Sequence, residues 1–214
     1  MRVITTTTSF RDAAGQINLK LQDFVLVQNQ TRMWRLQTEG RRKPQEIKSL
    51  MRSYNKDEYP EIVRTQESKG LSIRFDDGLE VLWLEGSIYA KDGHLGVAVI
   101  LPKPQDLQDE ADATRSPDSD DGVRPTEDDR QQMNLSLAVG GAPTDVARIS
   151  AKSLAQKPDI QITRVADDGG QTHTSISPLQ PGDIVVLDAH ERIEVKSGGV
   201  ALVMVRYKLE TGLG

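Results

Sequence analysis

The stretch SGGVALVMVRYK, residues 197–208, is a glycine turn feeding an unbroken apolar run that ends in a basic and aromatic tail. Earlier in the chain GHLGVAVILPK, residues 93–103, has almost the same form. Apolar residues that follow one another without alternation suit a strand covered on both faces. Each copy therefore reads as the closing strand of a β unit, and the pair suggests that one unit is written twice. The repeat extends beyond the two runs. An offset of 105 residues pairs Val81 and Leu82 with Val186 and Leu187, Ile88 with Ile193, Lys91 with Lys196, Gly93 with Gly198 and Lys103 with Lys208. A two-residue adjustment at the turn brings GVAV, residues 96–99, onto GVAL, residues 199–202. Convergence on one hairpin pattern is the competing explanation, since the matched letters are common strand and turn types.

Between the two runs lies a segment of different composition. Residues 103–130 carry ten acids against four bases, a net of −6 in a chain whose formal charge is −5, so the acidity belongs to this segment. It has prolines at 104, 117 and 125 and few apolar residues, and cannot bury enough surface to offset its chain entropy. The reading is mainly β: two small antiparallel sandwich or barrel domains, residues 1–102 and 132–214, joined by an acidic linker over residues 103–131.

Strand signals fill both expected domains. RVITTTT is β-branched, QINLKLQDFVLV alternates, and LSIRFDDGLEVLWLEGSIYAKDGHLGVAVIL is four short runs separated by Asp-Gly and Glu-Gly. Asp-Gly between such runs is a strong hairpin cue, because its residues tolerate positive φ, and predicts an antiparallel meander. Ile47, Leu50, Met51 and Tyr54 follow Pro44 at helical spacing and predict one short helix ending near Asn55, within a basic insertion at about residues 40–66. In the second part MNLSLAV, ARISAKSL, DIQITRVA, THTSISPL, DIVVLDA, RIEVKS and GVALVMVRYKL read as seven strands.

No motif specifies a reaction. The 214 residues include no cysteine, so thiolate chemistry and disulfides are out. The phosphate loop, Gly-x-Ser-x-Gly and His-Glu-x-x-His are missing as well. His94, His173 and His190 read as surface residues rather than metal ligands. DSDDG at 118–122 is one residue short of a calcium loop, and the pairs Asp76–Asp77 and Asp167–Asp168 read as turn formers. Neither a catalytic set, a metal nor a cofactor is expected. The opening MRVITTTTSF lacks the apolar core of a secretory signal, and no run approaches the length of a spanning helix, so a soluble protein is expected, with no membrane partner.

The stretch from Arg32 to Arg74 holds eleven bases and six acids with Trp34, Tyr54 and Tyr59 among them. Basic plus aromatic composition fits nucleic acid or a protein contact. The acidic segment favours the contact: a basic face built from Trp34, Arg35, Arg41, Arg42, Lys43, Arg52 and Tyr54 would hold Asp118, Asp120 and Asp121 of a neighbour or of the same chain. Nucleic acid is not the expected partner.

The ending LQPGDIVVLDAHERIEVKSGGVALVMVRYK, residues 179–208, taken with small glycine-turn β units and a charged connector, resembles structural proteins of tailed-bacteriophage virions. That resemblance implies a non-enzymatic capsid-decoration, neck or tail component that assembles with other virion proteins in the host cytoplasm. It assigns no functional residue. The alternative is a carbohydrate-binding or cupin-like sandwich with a small-molecule site, since PGDIVVLDAHERIEV is similar to a cupin strand pair, although without its clustered His and Glu.

Overall fold

The two runs that look like closing strands are hydrogen-bonded to each other. In the structure, a computed structural model, the strand His94–Leu101 (β7) lies antiparallel to Val200–Thr211 (β12), with Leu101 opposite Ala201 and His94 opposite Lys208. The structure describes residues 2–4, 6–28, 30–37, 44–76, 78–105, 149, 151–165, 170–176 and 179–211.

In chain order the elements are β1 (Arg2–Ile4), α1 (Thr8–Gly15), β2 (Phe24–Gln28), β3 (Met33–Leu36), α2 (Gln45–Ser53), a π-helical segment (Tyr54–Glu58), α3 (Tyr59–Glu67), β4 (Leu71–Phe75), β5 (Glu80–Leu84), β6 (Ser87–Tyr89), β7, α4 (Ala151–Ala155), β8 (Asp159–Val165), β9 (Gln171–Ile176), β10 (Ile184–Leu187), β11 (Glu191–Ser197) and β12. One sheet runs β1-β10-β7-β12-β5-β3-β2, with β4 added to β12; the other runs β6-β11-β8-β9. Every pairing between strands is antiparallel. The chain is mainly β, as its sequence indicates.

The division into two domains does not hold. Each sheet takes strands from both sides of residues 103–131, and β7 and β12 are interior strands of the large sheet. Their apolar runs are covered twice. On one face Val97, Val99, Val203, Val205 and Tyr207 pack against Phe10 of α1 and Ile47, Leu50, Tyr54 and Ile62 of the α2–α3 helix. On the other, Ala98, Ile100, Leu202 and Met204 pack against Ile88, Ile160, Ile162, Ile193 and Val195 of the small sheet. Helices, large sheet and small sheet form three layers, and burial of the two faces is the main stabilising term.

The repeat is a pseudo-twofold relation inside this one fold. Exchanging β5-β6-β7 with β10-β11-β12 turns the order β10-β7-β12-β5 into itself and sends the pair Ile88–Ile193 onto itself. Two backbone hydrogen bonds exchange under the offset of 105: Val195 N–H to Gly86 O, 2.7 Å, and Ala90 N–H to Glu191 O, 3.1 Å. Register corrects the adjustment at the turn. Sliding back two residues would place Val97, on the helix side, over Val200, on the small-sheet side. Moving forward one residue instead keeps every face, and carries the pair Val81–Val203 onto Val186–Val97.

The meander does not form. No two strands consecutive in β4–β7 pair with each other; β4 and β5 both join β12, and β6 crosses to the small sheet. The Glu-Gly turn is thus a corner between sheets, where a Cβ on Gly86 would run into the Thr31 carbonyl. Local reversal is all that such a turn encodes. The partner is chosen by which pairing covers the apolar strands on both faces.

Three further readings change. RVITTTT is a strand over Arg2–Ile4 but not to its end, because Thr7 caps α1, its side-chain oxygen accepting from Phe10 N–H at 3.4 Å. The helix beginning after Pro44 does not stop near Asn55 but passes through the π-helical segment into α3. Pro60 stands in the first turn of α3, where its missing N–H is tolerated. ARISAKSL ends in the short helix α4, not a strand. MNLSLAV and the acidic segment from residue 106 onward lie outside the described residues.

Candidate functional site

The chain has four tyrosines and three phenylalanines, and three of those tyrosines and one phenylalanine meet where the π-helical segment crosses the large sheet. Tyr54 and Tyr207 are buried, and their hydroxyls share a hydrogen bond of 3.1 Å. Tyr59 stacks on Tyr207 at 5.3 Å between ring centroids, and Phe75 of β4 meets Tyr207 edge-on at 6.1 Å. Burial pushes the Tyr54 phenol well above its ordinary range. Burial also raises Tyr207, to about 12, although the hydrogen bond from Tyr54 works against it. Both rings stay neutral through physiological pH.

Above this cluster the α2–α3 helix stands off the sheet and leaves a groove of about 620 Å³, lined by Met51, Asn55, Tyr59, Phe75, Leu79, Val205 and Tyr207. The widened turn of a π-helical segment displaces the residues after it around the helix axis, a feature common at functional sites. Phe75 is 56% exposed at the rim, an unusual position for a large ring that also packs on a core tyrosine. A shallower recess continues the groove along α2, sharing Met51, Asn55 and Leu79 and adding Ile47, Lys48 and Arg52. One edge of the groove is therefore basic and its floor apolar.

Glu58 ends the π-helical segment, 5% exposed, with Oε1 lacking a hydrogen-bond partner. Burial holds its carboxyl above the usual carboxylate range; a hydrogen bond from the Thr7 backbone N–H opposes the shift, and Glu61 and Asp57 add to it.

The residues expected at an interface separate into three groups. Trp34 and Tyr54 are core side chains, 2% and 0% exposed, so neither can anchor a neighbour. Trp34 faces Trp83 across β3 and β5, and large aromatic rings with such neighbours are taken up by the core. Arg35 bonds Glu80 at 2.5 Å, a carboxylate that Arg206 also bonds at 2.7 Å. Arg52 is exposed at the groove edge. Arg41, Arg42, Lys43, Asp118, Asp120 and Asp121 lie outside the described residues, as do DSDDG, Asp77, Asp167 and Asp168. Phe75, Leu79, Val205 and Tyr207 were not legible as site residues. For Phe75 and Tyr207 the only signal is aromatic scarcity, which gives each ring more weight; Leu79 and Val205 carry none.

The histidines differ in setting. His94 is buried rather than on the surface, with Nε2 2.8 Å from Asp76 Oδ2 and Nδ1 2.8 Å from the Asp92 carbonyl. His173 Nδ1 lies 2.9 Å from the Thr163 hydroxyl, and His190 has φ of 67° in a turn. Among the described residues no three His, Cys, Asp or Glu side chains gather in a way that could hold a metal ion, and no helix is long and apolar enough to cross a membrane.

Fold and groove together define a three-layer antiparallel β protein with an aromatic cleft. No family model, curated protein or solved structure matches this chain.

Proposed function

We propose that this protein is a non-enzymatic structural and assembly protein of a viral particle, binding a neighbouring subunit of a capsid or tail lattice through the groove. The observation that carries the contact is Phe75: a half-exposed ring at the mouth of an apolar cleft, backed by Tyr207 and Tyr59. Aromatic side chains in such clefts are the usual energetic anchors of protein contacts. The viral particle itself is supported by the resemblance across residues 179–208. A second reading, a small-molecule site, is favoured by the groove's volume of about 620 Å³, which falls in the range of ligand cavities.

Light scattering on the purified chain across the micromolar range distinguishes the two. The assembly reading expects concentration-dependent oligomers that Phe75→Ser abolishes while the monomer keeps a cooperative thermal transition. A monomer at every concentration, whose groove resonances shift with small aromatic or sugar-like compounds, would replace assembly with ligand binding.

A further inference from the structure

The groove has one property that a purely apolar partner would leave unused. Its floor is Met51, Leu79, Val205 and the tyrosine rings, while Lys48 and Arg52, one helical turn apart on α2, line its continuation. Other bases nearby are already engaged: Arg35 and Arg206 both bond Glu80. Among the described residues, neither Lys48 nor Arg52 has an ion-pair partner. An apolar cleft with an unneutralised basic edge fits a peptide that offers an apolar anchor flanked by carboxylates.

The chain contains such a peptide. Within the segment of net charge −6, the stretch DLQDE at 106–110 sets Leu107 among Asp106, Asp109 and Glu110, and Leu107 and Val123 are the only large apolar residues between 103 and 130. We infer that the groove of one copy receives Leu107 and its flanking carboxylates from a neighbouring copy, the leucine seated against Phe75 and Tyr59 and the acids facing Lys48 and Arg52. This inference rests on the assembly reading and names its partner. Topology favours exchange between copies. Tyr207 and Val205 lie opposite Leu95 and Val97, at the start of β7, whereas the chain leaves past Leu101, about 20 Å away at strand rise. Beyond it Gln105 is tied down, its N–H donating to Leu19 O at 2.7 Å and its carbonyl accepting from Leu21 N–H at 3.3 Å.

The test uses a fluorescein-labelled peptide of residues 104–116 titrated with the full chain carrying Leu107→Ser, so that its own segments do not compete, and followed by anisotropy. Saturable binding is expected, weakening as salt shortens the range of the charges. A serine in place of Leu107 in the peptide should weaken it about tenfold, the effect of losing one buried leucine side chain. On the protein, Phe75→Ser should weaken binding, and Lys48→Gln with Arg52→Gln should weaken it and remove most of the salt dependence. Because the serine peptide leaves the protein untouched, a folding defect cannot mimic its result. Absence of saturation, or binding indifferent to Leu107 and to the groove substitutions, overturns the inference. Oligomers that depend on Phe75 without peptide binding would leave assembly standing and remove this occupant; loss of both removes both.

Discussion

Replacing Tyr207 with phenylalanine deletes one oxygen and leaves the Tyr54 hydroxyl, in a fully buried residue, without the partner it has at 3.1 Å. An unsatisfied buried hydroxyl costs about 1–3 kcal/mol, whereas removing both partners with the shape preserved is close to neutral. Tyr207→Phe should therefore cost about 1–3 kcal/mol. Tyr54→Phe should cost a similar amount, about 1–3 kcal/mol, because the freed Tyr207 hydroxyl belongs to a buried residue as well. The double substitution should cost less than the Tyr207 change alone. For a chain of this size each kcal/mol moves the melting temperature by about 2–4 °C. Trp34 and Trp83, both buried, report unfolding by fluorescence in urea, and the double-mutant cycle gives the coupling directly. Since burial holds both phenols above their ordinary range, with Tyr207 at about 12, the coupling should be unchanged between pH 6 and roughly pH 9. If the double mutant loses the sum of the two single losses, the hydroxyls act independently and the helix is not tied to β12 by this bond.

Gly199→Ala should destabilise by roughly 1–3 kcal/mol, because the new methyl would overlap the buried Trp83 ring, and chemical denaturation measures it. A loss under about 0.5 kcal/mol would mean the ring can move aside. Glu58→Gln tests the buried acid by its pH dependence. Its folded pKa is raised, so over the window between the unfolded value near 4.3 and the higher folded one the native state holds more protons, and stability falls as pH rises. The glutamine variant lacks that fall; its stability relative to the parent should increase as pH rises through that window and then level off. A constant difference would show that Glu58 titrates alike in both states.

Much of the β architecture is legible from local pattern, because strand runs such as EVLWL, HLGVAVIL, DIVVL and RIEVKS announce themselves by composition and bounding turns. The helix start after Pro44 is legible for the same reason. Its continuation was hidden because the apolar spacing that marks the helix ends at Tyr54, whereas the backbone runs on through the π-helical turn and takes Pro60 into the first turn of α3. The groove was half visible: Arg52 stood out as a basic residue and Tyr59 as an aromatic beside it. Phe75 and Tyr207 come from strands far apart in sequence, and nothing in either neighbourhood says that they pair.

By itself the sequence determined that the chain is mainly β, that two of its segments repeat, and that two central runs are covered on both faces. These properties follow from side-chain chemistry at short range. Tertiary structure decided which strands meet. The same turn residues serve a hairpin or a corner between sheets, and the same apolar run closes a small domain or forms the middle of a large sheet. The choice fell to whichever pairing buried both faces of β7 and β12 at once, a free energy summed over the whole chain rather than written at any one position. That pairing turned an apparent duplication of domains into two interlocked halves of one.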